Sequence, residues 1–395
     1  MLDQIYAKKS VRPNILLAVY NAPWIKTHII EPFRTLNADL TIINLRGINP
    51  LEGAFNKESQ AVMTKERFYD LIFVVEGRDK DIEMETLKRF KNSGAVLINY
   101  LVDTPQDWWR SIKISQIFDY VLSAQTENCQ RLKNKYNEVL FFPFAISDEF
   151  FHKIRPPKEE DYLANARNPI TFLGSAHSRW RWHFVNQLSR IAEPLTVVGS
   201  GWNGKSRNGE QASTIQSSVK RLLKKMEEHG GISFRSQWTR IWGGEASAVL
   251  GGIINAVSQQ SFAPLENVQL PGFLNDDELN ELLLQSAAIV STSMHGSGYL
   301  AGHPRMQFKL RDIELSAYGI PHLVNRTPDT IMCLGDDAFY YHGFDELRSC
   351  LNMVRNDPKL AYQRAKVVRT IIQNNHLWSN RFSQIAKLTK LNISQ

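Results

Sequence analysis

The chain has 395 residues, of which 43% are apolar and 22% are charged, and its 47 basic and 40 acidic residues give a net charge of +7. A single hydrophobic core stops growing at roughly 250–300 residues, so a chain of this length is expected to form two domains. Its composition excludes an intrinsically disordered chain. The three cysteines lie far apart without a CxxC pair, which argues against a disulfide framework or a cysteine zinc site. We expect neither a signal peptide nor a membrane-spanning helix, because no sufficiently long apolar run is present.

The first half of the chain alternates between short apolar runs and amphipathic segments. Such runs are typical of buried parallel strands, and the amphipathic segments are typical of helices. The predicted strands are Asn14–Tyr20, Leu40–Leu45, Tyr69–Val75, Gly94–Leu101, Phe118–Ser123 and Val139–Pro143, and the predicted helices are Thr27–Asn37, Asp81–Ser93 and Glu127–Tyr136. This alternation predicts a doubly wound α/β domain over residues 1–151.

The second half repeats this alternation after a charged, proline-bearing stretch that predicts a linker over residues 152–169. The predicted strands are Ile170–Gly174, Leu195–Gly199, Ala287–Ser291 and His322–Asn325, and the predicted helices are Trp182–Ile191, Asp276–Gln285, Arg311–Tyr318, Asp345–Arg355 and Pro358–Gln373. A second doubly wound domain is therefore predicted over residues 170–375, followed by a terminal helix over 376–395.

Residues 203–264 break the alternation, and we predict that they form an insertion in the second domain. Between Asn203 and Arg240 there are eight basic residues against three glutamates, and the run Val219–Met226 is typical of a helix with one basic face. Because a basic surface attracts anionic partners, this segment predicts docking to DNA or to an anionic membrane surface.

Several predicted strands of the second half end in small residues that could approach a phosphate. In doubly wound sheets, ligands bind outside the carboxyl ends of the strands. Small residues let backbone N–H groups come close to a phosphate there. The candidate binding residues of these strand ends are Gly174, Ser175, Arg179, Gly201, Trp202, His295 and Gly296. Ordinary turns are the alternative for each glycine, and neither a GxGxxG nor a GxxxxGK[ST] motif is present.

The stretch Lys309–Pro321 carries the most informative spacing. Arg311 and Glu314 lie one helical turn apart and therefore share a face of the predicted helix. A carboxylate there can accept hydrogen bonds from two vicinal hydroxyls, such as those of a ribose, while Arg311 and Lys309 can bind phosphate. A solvated ion pair on the helix surface is the alternative.

The pattern Arg-x-x-Glu-x-x-x-x-Gly-x-Pro, from Arg311 to Pro321, resembles the donor-site helix of glycosyltransferases with the GT-B fold. It is most similar to the spore-maturation-type family, which is related to the family 1 and family 4 transferases. The segments Leu101–Pro105, Leu270–Leu279 and His376–Phe382 resemble other parts of that family in the same order. The resemblance implies two Rossmann-like domains that face each other across a cleft, with a terminal helix that crosses back to the first domain.

The resemblance also implies roles for individual residues. Glu314 would hold the ribose hydroxyls of a sugar nucleotide, Arg311 would lie near the diphosphate, and the backbone at Gly174 and Gly201 would border the donor cleft. Many relatives carry a second glutamate eight positions before Glu314, facing the sugar, but this chain has Met306 there. The sugar contact must then come from elsewhere.

Asp103 is the candidate catalytic base, because it follows a predicted buried strand of the first domain and a transferase needs a carboxylate or histidine near the acceptor hydroxyl. A capping aspartate before Pro105 is the alternative, and His28 is a second, weaker candidate. The pairs Asp276–Asp277 and Asp336–Asp337 are more typical of caps or solvated loops than of metal ligands. We therefore expect neither an obligatory metal nor a cofactor other than the nucleotide-sugar co-substrate.

The favoured function is a cytoplasmic, metal-independent hexosyltransferase that moves a sugar from a nucleotide-sugar donor, such as a UDP-sugar, to a hydroxyl acceptor on a glycan, a lipid-linked molecule or a small molecule. The basic insertion would allow peripheral membrane association. One alternative is a glycosyltransferase that modifies nucleic acid bases. Another is a non-catalytic sugar-nucleotide-binding protein on a degenerate transferase fold, because Met306 replaces the expected glutamate and fold alone does not establish activity.

Overall fold

A computed structural model describes residues 12–45, 68–79, 81–102, 111–133, 138–176, 179–202, 265, 267–272, 274–293 and 306–393. The chain divides into two compact units, one made of residues 1–153 and 373–395 and the other of residues 154–372. Within the described residues each unit contains a six-stranded sheet and flanking helices. The two Rossmann-like α/β domains predicted from the alternation are confirmed.

The first unit is built on a parallel sheet. Its strands are β1 Asn14–Val19, β2 Asp39–Asn44, β3 Leu71–Val75, β4 Val96–Leu101, β5 Tyr120–Ser123 and β6 Val139–Phe141. They lie in the order β2-β1-β3-β4-β5-β6, and all neighbouring strands pair in parallel. The chain moves from β1 to β2 on one side and then to β3 on the other side of β1. The sheet therefore has a topological switch point between β1 and β3.

The helix that follows β1 contains a π-helical turn. Helix α1 consists of the consecutive segments Pro23–Ile25, Lys26–Ile30, which is π-helical, and Glu31–Arg34. Pro32 lacks an N–H group, and its ring would crowd the carbonyl group four residues earlier in a regular α-helix. The Glu31 N–H bonds to the Lys26 carbonyl, five residues back. The helix thus begins earlier and ends earlier than the predicted Thr27–Asn37.

Four further helices complete the described part of the first unit before residue 153. They are α2 Met84–Asn92, α3 Ile112–Ser115, α4 Thr126–Leu132 and α5 Asp148–Lys153. Helix α2 buries Leu87 and Phe90 in a cluster with the apolar side chains of β3 and β4. The sheet is therefore covered by amphipathic helices, as expected for buried parallel strands.

The second unit has a parallel sheet with a different strand order. Its strands are β7 Ile170–Leu173, β8 Leu195–Val198, β9 Val268–Gln269, β10 Ala288–Val290, β11 His322–Asn325 and β12 Phe339–Tyr341. They lie in the order β12-β11-β10-β7-β8-β9, and all neighbouring strands pair in parallel. This is the order of the Rossmann fold, whose switch point lies between the first and fourth strands, here β7 and β10.

The helices of the second unit are α6 Glu159–Asn165, α7 Arg179–Ser189, α8 Asp276–Leu284, α9 Leu310–Ser316, α10 Pro328–Leu334, α11 Phe344–Asn356 and α12 Pro358–Asn375. The last residues of α12 already belong to the first unit. None of the helices in the described ranges combines the length and the apolar composition needed to cross a membrane.

The stretch 152–169, predicted as a linker, differs from that expectation. Helix α6 forms within it, and Tyr162 on this helix is fully buried. The Tyr162 hydroxyl donates to the carbonyl oxygen of Ala287 at 2.9 Å, and its ring stacks on Tyr362 at 5.4 Å. Of the charged residues that suggested a linker, Glu160 and Asp161 lie on the exposed side of this helix, whereas Arg155 and Lys158 are exposed before it begins.

The C-terminal helix α13, Trp378–Thr389, belongs to the first unit. Trp378 is 1% exposed and packs edge-on against Phe33 of α1 at 5.4 Å. Arg381 is equally buried and donates hydrogen bonds to the carbonyl oxygens of Pro143 and Phe144. A buried arginine whose guanidinium is satisfied by main-chain carbonyls fixes this helix against the carboxyl end of β6.

Candidate functional site

The switch point of the second sheet brings together the residues that follow β7, β8 and β10. Gly174 and Ser175 follow β7, Gly199–Trp202 follow β8, and Ser291–Ser293 follow β10. In open α/β sheets this crevice outside the carboxyl ends of the strands is where ligands bind. The strand-end segments predicted from glycine and serine content that the structure describes thus lie at one edge of one sheet.

The ends of β7 and β8 are joined through main-chain contacts. The Gly174 N–H donates to the Val198 carbonyl oxygen at 2.9 Å, and the Ala176 N–H donates to the Ser200 carbonyl oxygen at 2.8 Å. Gly201 has a φ of +87°, in the left-handed region that favours glycine. These contacts extend the strand pairing into the turn and keep the two loops side by side.

Trp202 contacts this turn from the core of the second unit. It is 3% exposed, its ring packs on Trp182 at 5.3 Å, and its Nε1–H donates to the Gly174 carbonyl oxygen at 2.6 Å. Trp202 was predicted as a binding residue. In the structure its hydrogen bond orients Gly174, and its ring belongs to the core of the second unit.

A buried arginine that sequence reasoning missed lies at the same edge. Arg181 on α7 is 7% exposed, and its Nη1 donates to the Ser175 carbonyl oxygen at 3.1 Å. Burial, and secondarily the nearby charge of Arg311, lowers the pKa of Arg181 to about 10, so that the guanidinium stays charged at neutral pH. Two cations close together at a switch point favour the binding of an anion.

Helix α9 presents the Arg311 and Glu314 pair that the spacing predicted. Arg311 is exposed and Glu314 is half-buried, one turn further along the helix. Tyr318 follows after another turn, and its hydroxyl donates to Asn280 Oδ1 of α8. Burial, and secondarily the charge of Glu314, raises the pKa of Tyr318. The helix therefore carries a cation and a carboxylate on one face, and the phenol of Tyr318 lies just beyond its last residue, Ser316.

The opposite face of α9 is fixed by a buried carboxylate. Asp312 is 1% exposed and accepts hydrogen bonds from Ser293 Oγ at 3.0 Å, Ser291 Oγ at 3.3 Å and the Lys309 N–H at 2.9 Å. Burial raises the pKa of Asp312, although its hydrogen bonds act in the other direction. Asp312 thus links the end of β10 to the beginning of the helix that carries Arg311 and Glu314.

Three further side chains hold the end of β10. Asn325 Oδ1 accepts from the Ser293 N–H at 2.8 Å and from Thr292 Oγ1 at 3.2 Å. The Tyr341 hydroxyl donates to the Ser291 carbonyl oxygen at 2.6 Å, and Lys309 Nζ donates to that of Thr292 at 3.3 Å. The end of β10 is therefore held by polar contacts on both sides.

His322 extends this network into the core. It is 5% exposed, with Nε2 at 2.8 Å from Ser291 Oγ and Nδ1 at 2.8 Å from Ser316 Oγ. Burial lowers the pKa of His322 to about 3, so the ring is neutral at physiological pH. A neutral imidazole can donate from one nitrogen and accept at the other, which matches its two hydroxyl neighbours.

The buried His322 predicts an acid-dependent loss of stability. In the unfolded chain the imidazole binds a proton near its usual pKa of about 6.5, whereas in the folded state it does so only near 3. The unfolding free energy should therefore fall as the pH drops from about 6.5 towards 3, with a contribution from this group of up to about 1.4 kcal/mol per pH unit. Urea unfolding at several pH values measures how the unfolding free energy changes with pH. This dependence should be weaker in His322→Gln, whereas it should be unchanged in His342→Gln, which replaces an exposed histidine. An unchanged slope in His322→Gln would contradict the burial of a neutral ring.

Other predicted residues lie outside the described ranges. These are Asp103, His295, Gly296 and the basic insertion 203–264.

Two further residues named in the sequence analysis lie inside the described ranges. Arg179 is the first residue of α7, and Met306 is half-buried eight positions before Glu314. Within the described ranges no three histidine, cysteine, aspartate or glutamate side chains gather in a metal-binding arrangement.

His28 lies in the π-helical turn of α1 and is 2% exposed. Its Nδ1 accepts a hydrogen bond from the Ser147 N–H at 3.1 Å, and its ring packs edge-on against Phe150 at 4.9 Å. His28 therefore joins α1 to the start of α5 within the first unit. Its role as a catalytic base stays a prediction.

Comparison with protein families identifies one match. A family model described as glycosyl transferase-like matches residues 179–387, which is more than half of the chain and includes α7, α9 and the end of β10. None of the curated proteins matches the sequence.

Solved structures of low sequence identity share the fold along nearly the whole chain. HepE from Anabaena, in complex with UDP, is 13% identical with a TM-score of 0.57 over 96% of this chain and 100% of that chain. Sucrose-phosphate synthase from Thermosynechococcus elongatus is 12% identical with a TM-score of 0.58, over 96% of this chain and 98% of that chain. A glycosyltransferase from Rickettsia africae is 13% identical with a TM-score of 0.60, over 96% of this chain and 98% of its own. These likenesses establish the two-domain fold of this chain.

Proposed function

The chain belongs to the glycosyl transferase-like family, and from that membership we propose that it transfers a hexosyl group from a UDP-sugar to a hydroxyl acceptor. The donor would bind at the switch point of the second unit, between the ends of β7 and β10. A structural neighbour, HepE from Anabaena, has been solved in complex with UDP-glucose, at 14% identity. That complex makes UDP-glucose the first donor to test.

The observation that carries the proposal is the position of charged side chains at one switch point. Arg181 and Arg311 supply two nearby cations, which suit the two phosphates of a nucleotide diphosphate. Glu314, one turn along α9 from Arg311, can accept hydrogen bonds from both ribose hydroxyls. The same three groups therefore match the diphosphate and the ribose of one sugar nucleotide.

We propose the following roles in the reaction. As the glycosidic bond to the diphosphate breaks, negative charge grows on the leaving UDP, and the guanidinium groups of Arg181 and Arg311 stabilise it. Because those groups are already positioned, through Ser175 and through α9, little reorganisation accompanies the charge development. Asp103 stays the proposed base that accepts the proton of the acceptor hydroxyl.

We also propose that no divalent metal is required. The two arginines can neutralise the diphosphate charge that a metal ion would otherwise balance. Transfer and donor binding measured after treatment with EDTA should then equal the untreated values. Loss of activity with EDTA and its recovery with Mg²⁺ or Mn²⁺ would overturn this part of the proposal alone.

Arg311→Met and Glu314→Ala should each weaken UDP-glucose binding by about 10- to 150-fold, the equivalent of one charge-assisted hydrogen bond of about 1.5–3 kcal/mol. The fold should be retained, because Arg311 is exposed and Glu314 is half-buried. Isothermal titration with UDP-glucose measures the dissociation constant directly. Arg348→Met, which removes an exposed arginine of α11, is the matched control and should bind as the wild type does.

Full donor affinity in both site variants would refute the proposed donor site. Donor binding without any hydrolysis or transfer would instead support a non-catalytic sugar-nucleotide-binding protein. The two outcomes are separated by following UDP release in the same preparations.

A DNA or anionic-membrane partner is proposed from sequence charge alone, since residues 203–240 lie outside the described ranges. Such a partner would favour a cytoplasmic protein that associates peripherally with its target. Binding to duplex DNA and to phosphatidylserine vesicles at low and high salt would test it, because contacts between opposite charges weaken as salt rises.

A further inference from the structure

A second set of side chains, none of them assigned to the proposed donor site, lies at the switch point of the first sheet. β1 and β3 pair in parallel, with Ala18 opposite Val74. The residues that follow these strands, 20–24 and 76–79, therefore lie at the same edge of the sheet. This edge is the ligand-binding crevice of a doubly wound domain.

An aromatic pair lies on one side of this edge. Tyr20 and Trp24 have ring centroids 6.1 Å apart at an interplanar angle of 73°, and both rings are half-buried. Asn21 between them is exposed, and α1, with its π-helical turn, begins at Pro23. Half-buried aromatic side chains with a neighbouring amide offer both an apolar surface and hydrogen-bonding groups. π-Helical turns are frequent at functional sites.

On the other side of the edge is a strained turn that neighbouring residues hold in place. Glu76 has a φ of +55°, which is unfavourable for a residue with a side chain, and is 2% exposed. Its Oε1 accepts a hydrogen bond from the Val102 N–H at 2.5 Å. The next residue, Gly77, is held at its N–H by Asn99 Oδ1 at 3.1 Å and at its carbonyl oxygen by Ser111 Oγ at 2.6 Å.

This strained turn is therefore maintained by contacts from β4 and from the residue before α3. Strained backbone that the surroundings hold in place clusters at binding and catalytic sites. Val102 also directly precedes Asp103, the proposed base, so Glu76 fixes the main chain that leads to it.

The charges of the described residues at this edge offset one another. Among residues 20–28 and 76–79, Lys26 and Arg78 are the cations, and Glu76 and Asp79 are the carboxylates. Arg78 Nη2 lies 4.0 Å from Glu76 Oε2, while Asp79 Oδ1 accepts from the N–H groups of Lys113 and Ile114. An acceptor rich in phosphate would need an excess of positive charge here. The balance favours an uncharged acceptor.

We propose that the acceptor is a neutral carbohydrate whose ring packs against Tyr20 and Trp24, with Asn21 bonding its hydroxyls. This inference rests on the proposed function and assigns its acceptor class. A pyranose ring has an apolar face of C–H groups that covers an aromatic ring and a rim of hydroxyls that bond to amides. Nucleobases also stack on aromatic rings, but they bring phosphates with them.

The test uses the full chain saturated with UDP, on an array that carries neutral oligosaccharides, single-stranded DNA and phosphatidylserine vesicles. We expect binding to at least one neutral oligosaccharide. Trp24→Ala should weaken that binding at least tenfold, and Trp24→Phe, which keeps an aromatic ring, should restore most of it. Phe68→Ala is the matched control, because Phe68 is 69% exposed and precedes β3 at the opposite edge of the sheet.

Donor binding is measured in parallel by the thermal shift with UDP-glucose, which should be the same in all four proteins. Equal shifts also show that the Trp24 variants are folded. Absence of oligosaccharide binding, binding only to DNA or vesicles, or unchanged oligosaccharide binding in Trp24→Ala would overturn the acceptor assignment. Failure of the wild type to bind UDP-glucose would instead refute the proposed donor function, whatever the array shows.

Discussion

Replacing Gly199 by alanine should lower the free energy of unfolding by roughly 3–5 kcal/mol and abolish UDP-glucose binding. Gly199 has a φ of +141°, and a Cβ atom there would lie 2.2 Å from the carbonyl oxygen and 2.6 Å from the carbonyl carbon of Gly174. The obstacle is main chain, which cannot rotate away as a side chain can. The ends of β7 and β8 would have to separate, and the Gly174 N–H bond to Val198 would break. Urea unfolding and isothermal titration measure the two effects.

Gly272→Ala is the matched control for this substitution. Gly272 lies in the same unit and has a φ of +85°, but a Cβ atom there would meet nothing within 4 Å. Its replacement should cost about 1–2 kcal/mol, from the left-handed backbone alone. If Gly199→Ala were no more destabilising than Gly272→Ala, this result would contradict the close approach of the ends of β7 and β8.

The central strands could be predicted because a strand buried on both faces is an uninterrupted apolar run. Leu71–Val75 is such a run, and all five of its residues are buried. The edge strands Val268–Gln269 and Phe339–Tyr341 are two and three residues long and show no period. Their strand conformation comes from pairing with a neighbour, which is information that the local sequence does not contain.

The residues of the candidate site also fall into two groups: those that the sequence predicts and those that only the folded structure reveals. The spacing of Arg311 and Glu314 was visible because a helix places residues three apart on one face. Asp312 stands between them in the sequence, and nothing in the spacing sets it apart, yet the helix turns its side chain to the buried side. Arg181 stands between two tryptophans, and only the turn after β7 brings the Ser175 carbonyl to its guanidinium. Local periodicity thus reveals faces of an element, whereas a buried polar partner depends on which elements pack together.

Asp312→Ala should lower the unfolding free energy by roughly 3–5 kcal/mol. It would leave Ser293 Oγ and the Lys309 N–H without the acceptor they use. Because Arg311 and Glu314 lie on the same helix as Asp312, we expect UDP-glucose affinity to fall together with stability. Asp312→Asn keeps the volume and one acceptor oxygen, so its loss should be smaller, about 1–2 kcal/mol.

The difference in unfolding free energy between the wild type and Asp312→Asn should depend on pH, and this dependence distinguishes a buried carboxyl group from a side chain that only packs. Burial raises the folded-state pKa of Asp312, so its stabilising contribution is complete below the unfolded pKa of about 4 and is lost as the pH rises through the folded value. Asparagine does not titrate and lacks this loss. The stability gap between the wild type and Asp312→Asn should therefore be widest near pH 4 and narrow as the pH rises, while acid titration of His322, present in both proteins, cancels in the difference. A gap that widened with pH would show that Asp312 is held as a stabilised carboxylate and that its hydrogen bonds to Ser291, Ser293 and Lys309 outweigh its burial.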